Sequence, residues 1–231
     1  MKPQHLLVSL VVVALFVAPL CAAEKCEEGF ASMFNGKDLS GWEGLPGAWR
    51  VENGAIVGQS TPADPCQRTH YLYWTGGKPA DFIFRCDIKL QGGNSGIQFR
   101  SEKRPKFDTF GYQADFDAKH VYSGALYQHK RGKVVDRGVR AVIAADGSRT
   151  EERFAGADEL LKKINDGQWN EYEIVARGNT VTLSLNGVRM CEVVDNHKEL
   201  ACRKGIIAVQ MHKGPPMKVQ FRNLRIKMLD Q

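Results

Sequence analysis

The stretch "GGNSGIQFR", Gly92 to Arg100, opens with two glycines and an Asn-Ser turn and then alternates. Ile97 and Phe99 take one side of the extended chain, Gln98 and Arg100 the other, because successive strand side chains point to opposite faces. The same alternation returns in "GYQADF", where Gln113 and Asp115 oppose Tyr112, Ala114 and Phe116. It returns again in "IIAVQMH", where Gln210 and His212 oppose Val209 and Met211. A surface strand ordinarily shows water a looser mix of Lys, Glu and Thr. These three strands offer amides, a carboxylate, an imidazole and a guanidinium instead.

One apolar and one polar parity is the pattern of an antiparallel strand with one face on a core. Outward from this stretch, strand-like runs cover 48–51, 55–58, 70–74, 81–90, 111–116, 138–144, 170–177, 180–186, 188–194, 205–212 and 217–228. Gly, Asn and Pro signals separate them, and Asn186-Gly187 is the strongest hairpin signal. Only Ala157 to Ile164 reads as a helix, with Leu160, Leu161 and Ile164 on one side. Many short strands with at most one short helix predict an all-β fold, a two-sheet antiparallel sandwich of jelly-roll type. No repeat, low-complexity tract or second domain interrupts residues 24–231, which are expected to form one domain.

The first 23 residues are excluded from the fold. Lys2, the apolar run Leu6 to Leu20 and the small residues Cys21-Ala22-Ala23 form a secretory signal peptide, with cleavage expected after Ala23. Leu20 before Cys21 disfavours a lipoprotein. The run is short for a membrane span, and no other segment is long and apolar enough for one. The protein is expected to be secreted or periplasmic. The net charge of +6 favours acidic partners or surfaces, but nucleic acid is a poor partner for an exported chain with no binding motif.

Six cysteines are present, and loss of Cys21 with the leader leaves five. Their spacings match no zinc pattern, and export permits disulfides. Cys191 and Cys202 flank a loop and are the first candidate pair. Cys86 shares the parity of Phe82, Phe84, Ile88 and Leu90 and reads as a core thiol.

If the three polar strands are sheet neighbours, their faces merge into one patch. Amides and charged groups suit vicinal hydroxyls, and Tyr112, Tyr127 and Trp74 are available to stack on sugar rings. Asn94 and the Gly-rich turn would let a ligand approach the backbone. "YQHKRGK", Tyr127 to Lys133, is a basic loop, read either as a solvated turn or as a rim that attracts anionic sugar or polymer. Ser95 lacks the spacing of a nucleophile elbow. No phosphate loop or His-Glu metal signature is present, and no cofactor or metal is expected.

A set of stretches in fixed order carries a family resemblance: "FASMFNGKDLSGWEG", "WRVENGAIVG", "DFIFRCDIKLQGGNSGIQFRSE", "GYQADF", "SGALY", "WNEYEIVARGNTVTLSLNGV" and "GIIAVQMHKGPPMKVQFRNLRIKML". Over about Phe30 to Leu229 the chain resembles the 3-keto-disaccharide hydrolase domain family, exported bacterial proteins with a laminarinase-like or concanavalin-like jelly roll. The resemblance implies cleavage of an oligosaccharide or glycoside whose C3 hydroxyl has been oxidised to a ketone. The ketone acidifies the C2 proton, so a base removes it, the C1 substituent leaves, and water adds back. Such a site needs a base, donors at the enolate oxygen and an acid for the leaving oxygen. Asp115 or His212 would be the base, Gln98 and Arg100 the enolate donors, and Tyr112 or Tyr127 the acid. Asn94, Gln113 and Gln210 would complete the binding face. An upstream sugar 3-oxidoreductase is implied as a partner.

The family strand more often reads Gly-Tyr-Glu-x-Gln, so here the carboxylate has moved one same-face step, about 7 Å. A binding module of the same fold is the alternative, and a matrix protein using the basic rim is a third reading. A conventional two-carboxylate glycosidase is disfavoured, because the polar parity offers a single carboxylate in six residues.

Overall fold

A computed structural model describes residues 27–230; the expected signal peptide, Cys21 and Cys26 lie outside the described residues. The strands are β1 (Ala31–Ser32), β2 (Trp42–Glu43), β3 (Trp49–Glu52), β4 (Ala55–Ser60), β5 (His70–Trp74), β6 (Phe82–Gln91), β7 (Asn94–Arg104), β8 (Asp108–Asp117) and β9 (Leu126–Gln128). They continue as β10 (Gly132–Val135), β11 (Val139–Ile143), β12 (Arg149–Arg153), β13 (Asn170–Arg177), β14 (Thr180–Leu185), β15 (Val188–Asp195), β16 (Ile206–Met211) and β17 (Met217–Met228). The one α-helix among the described residues, α1 (Ala157–Leu161), is shorter than its sequence pattern predicts.

Two sheets stack face to face. One runs β12-β11-β15-β14-β13-β6-β17-β4-β3, with β1 added against β17. The other runs β10-β9-β8-β7-β16-β5-β2. This is the all-β sandwich that the alternation predicts. Pairing is antiparallel with one exception: β11 and β15 run parallel. The long connection through β12, α1, β13 and β14 supplies the crossover a parallel pair requires.

The core lies between the sheets. On β6, Phe82, Phe84, Cys86, Ile88 and Leu90 are buried at every second position while the intervening residues are half-exposed. Facing them from the second sheet are Ile97, Phe99, Tyr112, Ala114 and Phe116. Each large side chain so buried contributes roughly 1.5–3 kcal/mol. Cys86 is a core thiol, and burial holds its pKa well above the ordinary range.

The expected disulfide does not form. Cys191 and Cys202 are both free thiols, as are Cys66 and Cys86. Cys191 points into the core from β15. Cys202 lies on the segment that returns towards the second sheet, where its Sγ accepts Gln128 Nε2 at 3.2 Å. Cys191 is aimed inward by its place in β15, while Cys202 sits in the loop before β16, and the two sulfurs lie in different surroundings.

Candidate functional site

The three polar strands are neighbours: β7 lies between β8 and β16. Gln98 pairs with Gln113, Gly96 with Asp115, and Gln210 with Tyr71 of β5. Their outward faces form the floor of a cavity of about 420 Å³, within the usual range for ligand sites. Asn94, Gln113, Asp115 and Gln210 line the floor. Thr69, Asp108, Tyr122, Tyr127, His129 and His212 form its rim.

Gly96 explains the opening stretch. Across it, the side chains of Gln113 and Gln210 meet although their strands are two apart, roughly 9.5 Å. Gln210 Nε2 donates to Gln113 Oε1 at 3.1 Å and to Tyr71 Oη at 2.8 Å. A Cβ on Gly96 would stand 2.8 Å from the Ala114 carbonyl oxygen and 3.0 Å from Gln113 Cγ. Any side chain there would separate the two amides.

Gln113 is the hub. Its Oε1 accepts Gln98 Nε2 at 2.9 Å, and its Nε2 donates to Asp115 Oδ1 at 2.5 Å. Ser101 Oγ in turn donates to Gln98 Oε1 at 2.6 Å. Burial pushes the Tyr71 phenol up to about 12, so it stays a proton donor at neutral pH. An amide chain of this kind holds rotamers with no net charge of its own.

Asp115 is only 3% exposed. Burial pushes its carboxyl up to about 7; the Gln113 hydrogen bond and the Lys133 charge act the other way, while Asp117 adds to the rise. No other side chain among the described residues donates to this carboxyl. Its backbone is pinned on both sides, with Gly124 N–H and Tyr172 Oη donating to the Asp115 carbonyl. A fixed carboxyl titrating near 7 is matched to proton transfer at neutral pH.

His212 Nδ1 lies 2.5 Å from the Lys213 carbonyl oxygen. A carbonyl only accepts, so Nδ1 carries a proton. Asn94 Oδ1 is buried without a hydrogen-bond partner. The aromatic wall is continuous: Tyr122 meets Tyr127 edge-on at 6.2 Å, and Tyr127 meets His129 at 5.8 Å. Asp117 fixes the Tyr122 loop by accepting the N–H groups of Val121, Tyr122 and Ser123 at 3.0, 2.8 and 2.9 Å.

Residues 29–227 match the family model described as the 3-keto-alpha-glucoside-1,2-lyase-like domain. The chain belongs to this carbohydrate-active family. Among solved structures, it is similar to a putative glycosyl hydrolase of Parabacteroides distasonis at 21% identity and TM-score 0.58, over 87% of this chain and 95% of that one. It is also similar to the carbohydrate-binding module CBM66 of Bacillus subtilis at 18% identity and TM-score 0.52, over 81% and 95%. At these identities the likeness is one of fold. No curated protein matches the chain in sequence.

Of the residues expected at a 3-keto-glucoside site, Asn94, Gln113, Asp115, Tyr127, Gln210 and His212 come together in the cavity. Gln98 shares their face but is fully buried and supports Gln113 from behind. Arg100 and Tyr112 are corrections. At Arg100 β7 bulges: the register slips between Phe99 and Glu102, and Arg100 takes φ +47. The left-handed residue breaks the parity and turns the guanidinium towards the sandwich edge. There Nη2 pairs with Asp81 Oδ1 at 2.9 Å, Nε donates to the Ala80 carbonyl at 2.7 Å, and Nη1 to the Gly178 carbonyl at 2.9 Å. Tyr112 faces the core, as its parity requires, and its hydroxyl donates to buried Asp195. Trp74 packs against the core at the far strands instead of lining the cavity.

Sequence reasoning missed Thr69, Asp108, Tyr122 and His129. They sit in turns and strand ends, where parity carries no signal. Asp108 does not create a two-carboxylate pair: on β8 it stands seven residues from Asp115, roughly 23 Å along the strand, against about 5–9.5 Å in two-carboxylate glycosidases.

Proposed function

We propose that the protein cleaves 3-keto-α-glucosides by removing the C2 proton, eliminating the C1 substituent and adding water. The observation that carries this reading is Asp115, a buried carboxyl titrating near 7 on a cavity floor whose other groups are the neutral amides of Asn94, Gln113 and Gln210. Removing a proton α to a ketone needs one well-placed base and donors for the enolate oxygen, and a second carboxylate is unnecessary. Asp115 acts as that base. Tyr127 stands at the rim to give a proton to the leaving oxygen, and His212 beside it is the second candidate proton acceptor. Gln113, Gln210 and Asn94 read sugar hydroxyls, and Tyr122 and Tyr127 cover an apolar ring face. Arg100 and Tyr112, held by Asp81 and Asp195 away from the cavity, take no part.

The substrate requires a prior oxidation at C3, so a sugar 3-oxidoreductase acts upstream. The leader pattern at residues 1–23 supports a reaction outside the cytoplasm. Release of a chromogenic aglycone from a 3-keto-α-glucoside, beside the plain α-glucoside, is the test. Turnover of the keto-sugar alone, lost in Asp115→Asn, is the expected result. Saturable glycan binding without release from either compound would reassign the protein as a binding module.

A further inference from the structure

Strand register orders the residues along the cavity. Leu126 pairs with Ala114, Tyr127 with Gln113 and Gln128 with Tyr112, so β9 leads away from Asp115 towards the start of β8. The aromatic wall follows the same direction. Tyr122 is tied by its N–H to Asp117, just beyond Asp115. Tyr127 stands beside Gln113, and His129 continues past it. Asp108, the first residue of β8, lines the same cavity. Floor and wall therefore share two ends: Asp115 and Tyr122 at one, Asp108 and His129 at the other.

The Asp108 end is held in shape by the hairpin that joins β7 to β8. Phe107 packs on Tyr73 with ring centroids 5.9 Å apart, and Tyr71, Ile206 and Ala208 complete this small apolar cluster. Lys106 and Phe107 take φ +64 and +58, left-handed values that such residues keep only where their surroundings impose them. Tyr73 Oη donates to the Asp108 carbonyl at 2.7 Å. The Asp108 backbone is thus fixed, while its carboxyl makes no hydrogen bond or ion pair among the described residues. Burial raises the Tyr71 phenol, and the charges of Asp108 and Asp115 add to the rise, so both carboxyls stand within reach of one hydroxyl on the floor.

A carboxylate has two oxygens and accepts two neighbouring hydroxyls at once. A wall of three rings is longer than one pyranose covers. With the keto-sugar over Asp115 and Tyr127 giving its proton to the leaving oxygen, the departing unit lies on the His129 side.

We propose that Asp108 is a specificity-determining residue, which accepts two hydroxyls of a sugar leaving group packed on His129 at the end of the cavity away from Asp115. The assignment rests on the keto-glucoside reading of the cavity and adds which end holds the departing unit and which side chain reads it.

The test compares kcat/KM for 3-keto-maltose, with the ketone on the non-reducing ring, and for 4-nitrophenyl 3-keto-α-glucoside, whose leaving group has no hydroxyls to offer Asp108. In Asp108→Ala the ratio of the two, disaccharide over aryl glucoside, should fall about tenfold or more, the worth of about one hydrogen bond. A purely structural lesion lowers both values alike, and a ratio taken on one sample does not depend on the folded fraction. Asp108→Asn keeps the side chain's size, should lower the ratio in the same direction, and serves if Asp108→Ala does not fold. An unchanged ratio in an active protein would overturn the role of Asp108 and leave the keto-glucoside reading standing. Wild-type inactivity on both compounds would overturn that reading and the leaving-group subsite with it.

Discussion

Gln113 Nε2 holds Asp115 Oδ1 at 2.5 Å, so the one carboxyl on the cavity floor is aimed by a neutral amide. The hydrogen bond favours the ionised form and works against burial. Gln113→Ala removes it. The Asp115 pKa should rise above about 7, and the acidic limb of the kcat/KM profile should move to higher pH. Turnover at pH 7 should fall by roughly 10²-fold, at the low end of what general acid–base catalysis contributes. An unmoved pH profile would show that Gln113 does not tune the base.

Asp115 also predicts a stability signature. Its folded pKa is raised above the unfolded value, so the folded state binds the extra proton between about 4 and 7. Stability is greatest below the unfolded pKa and is lost as pH rises through 7. Asp115→Asn stays neutral throughout. Its Tm should exceed the wild-type value at pH 8, by an amount worth a few kcal/mol at about 1.4 kcal/mol per pKa unit, and the difference should vanish near pH 4. Thermal melts across that range decide it; a constant difference would refute the buried-charge account.

Asp117 tests the aromatic wall. Without its carboxylate, three N–H groups of the Tyr122 loop lose their acceptor. Asp117→Ala should raise KM several-fold with a smaller effect on kcat, because the role proposed for Tyr122 is to cover the sugar ring and not to reach the reacting atoms. Tyr122→Ala should reproduce the KM effect without the loss of stability. Steady-state kinetics beside melting curves separate the two.

Gly96→Ala should uncouple the floor. The new methyl meets the Ala114 carbonyl at 2.8 Å and presses on Gln113 Cγ at 3.0 Å. We expect loss of turnover with the fold retained by circular dichroism. Full activity would mean that the Gln113–Gln210 contact is dispensable.

Arg100→Met should behave as a structural lesion. It breaks a buried pair, leaving Asp81 with the Gly178 N–H alone and three loop carbonyls without the guanidinium donor. The cost should be about 3–5 kcal/mol by denaturant unfolding, with KM unchanged for the folded fraction. A KM effect larger than the stability effect would return Arg100 to the site.

The alternation of apolar and polar residues determined the sandwich, because burying one face of each strand leaves no other arrangement for "FIFRCDIKL", "GIQFR" and "GYQADF". It also determined that Asn94, Gln113, Asp115 and Gln210 share a face, since their parity survives as long as their strands stay regular. What parity could not carry was decided by the tertiary structure. One left-handed residue in β7 turned Arg100 from the ligand face to the sandwich edge, and no local pattern announces a bulge. Core packing, not hydroxyl chemistry, claimed Tyr112, and the surroundings of Cys191 and Cys202 ruled out their bridge. Tyr122, His129, Thr69 and Asp108 reach the cavity from turns and strand ends distant in sequence, so only the closure of the sheet and its loops brings them there. The elevated pKa of Asp115 belongs to the same class: it arises from burial, which exists only once both sheets are stacked.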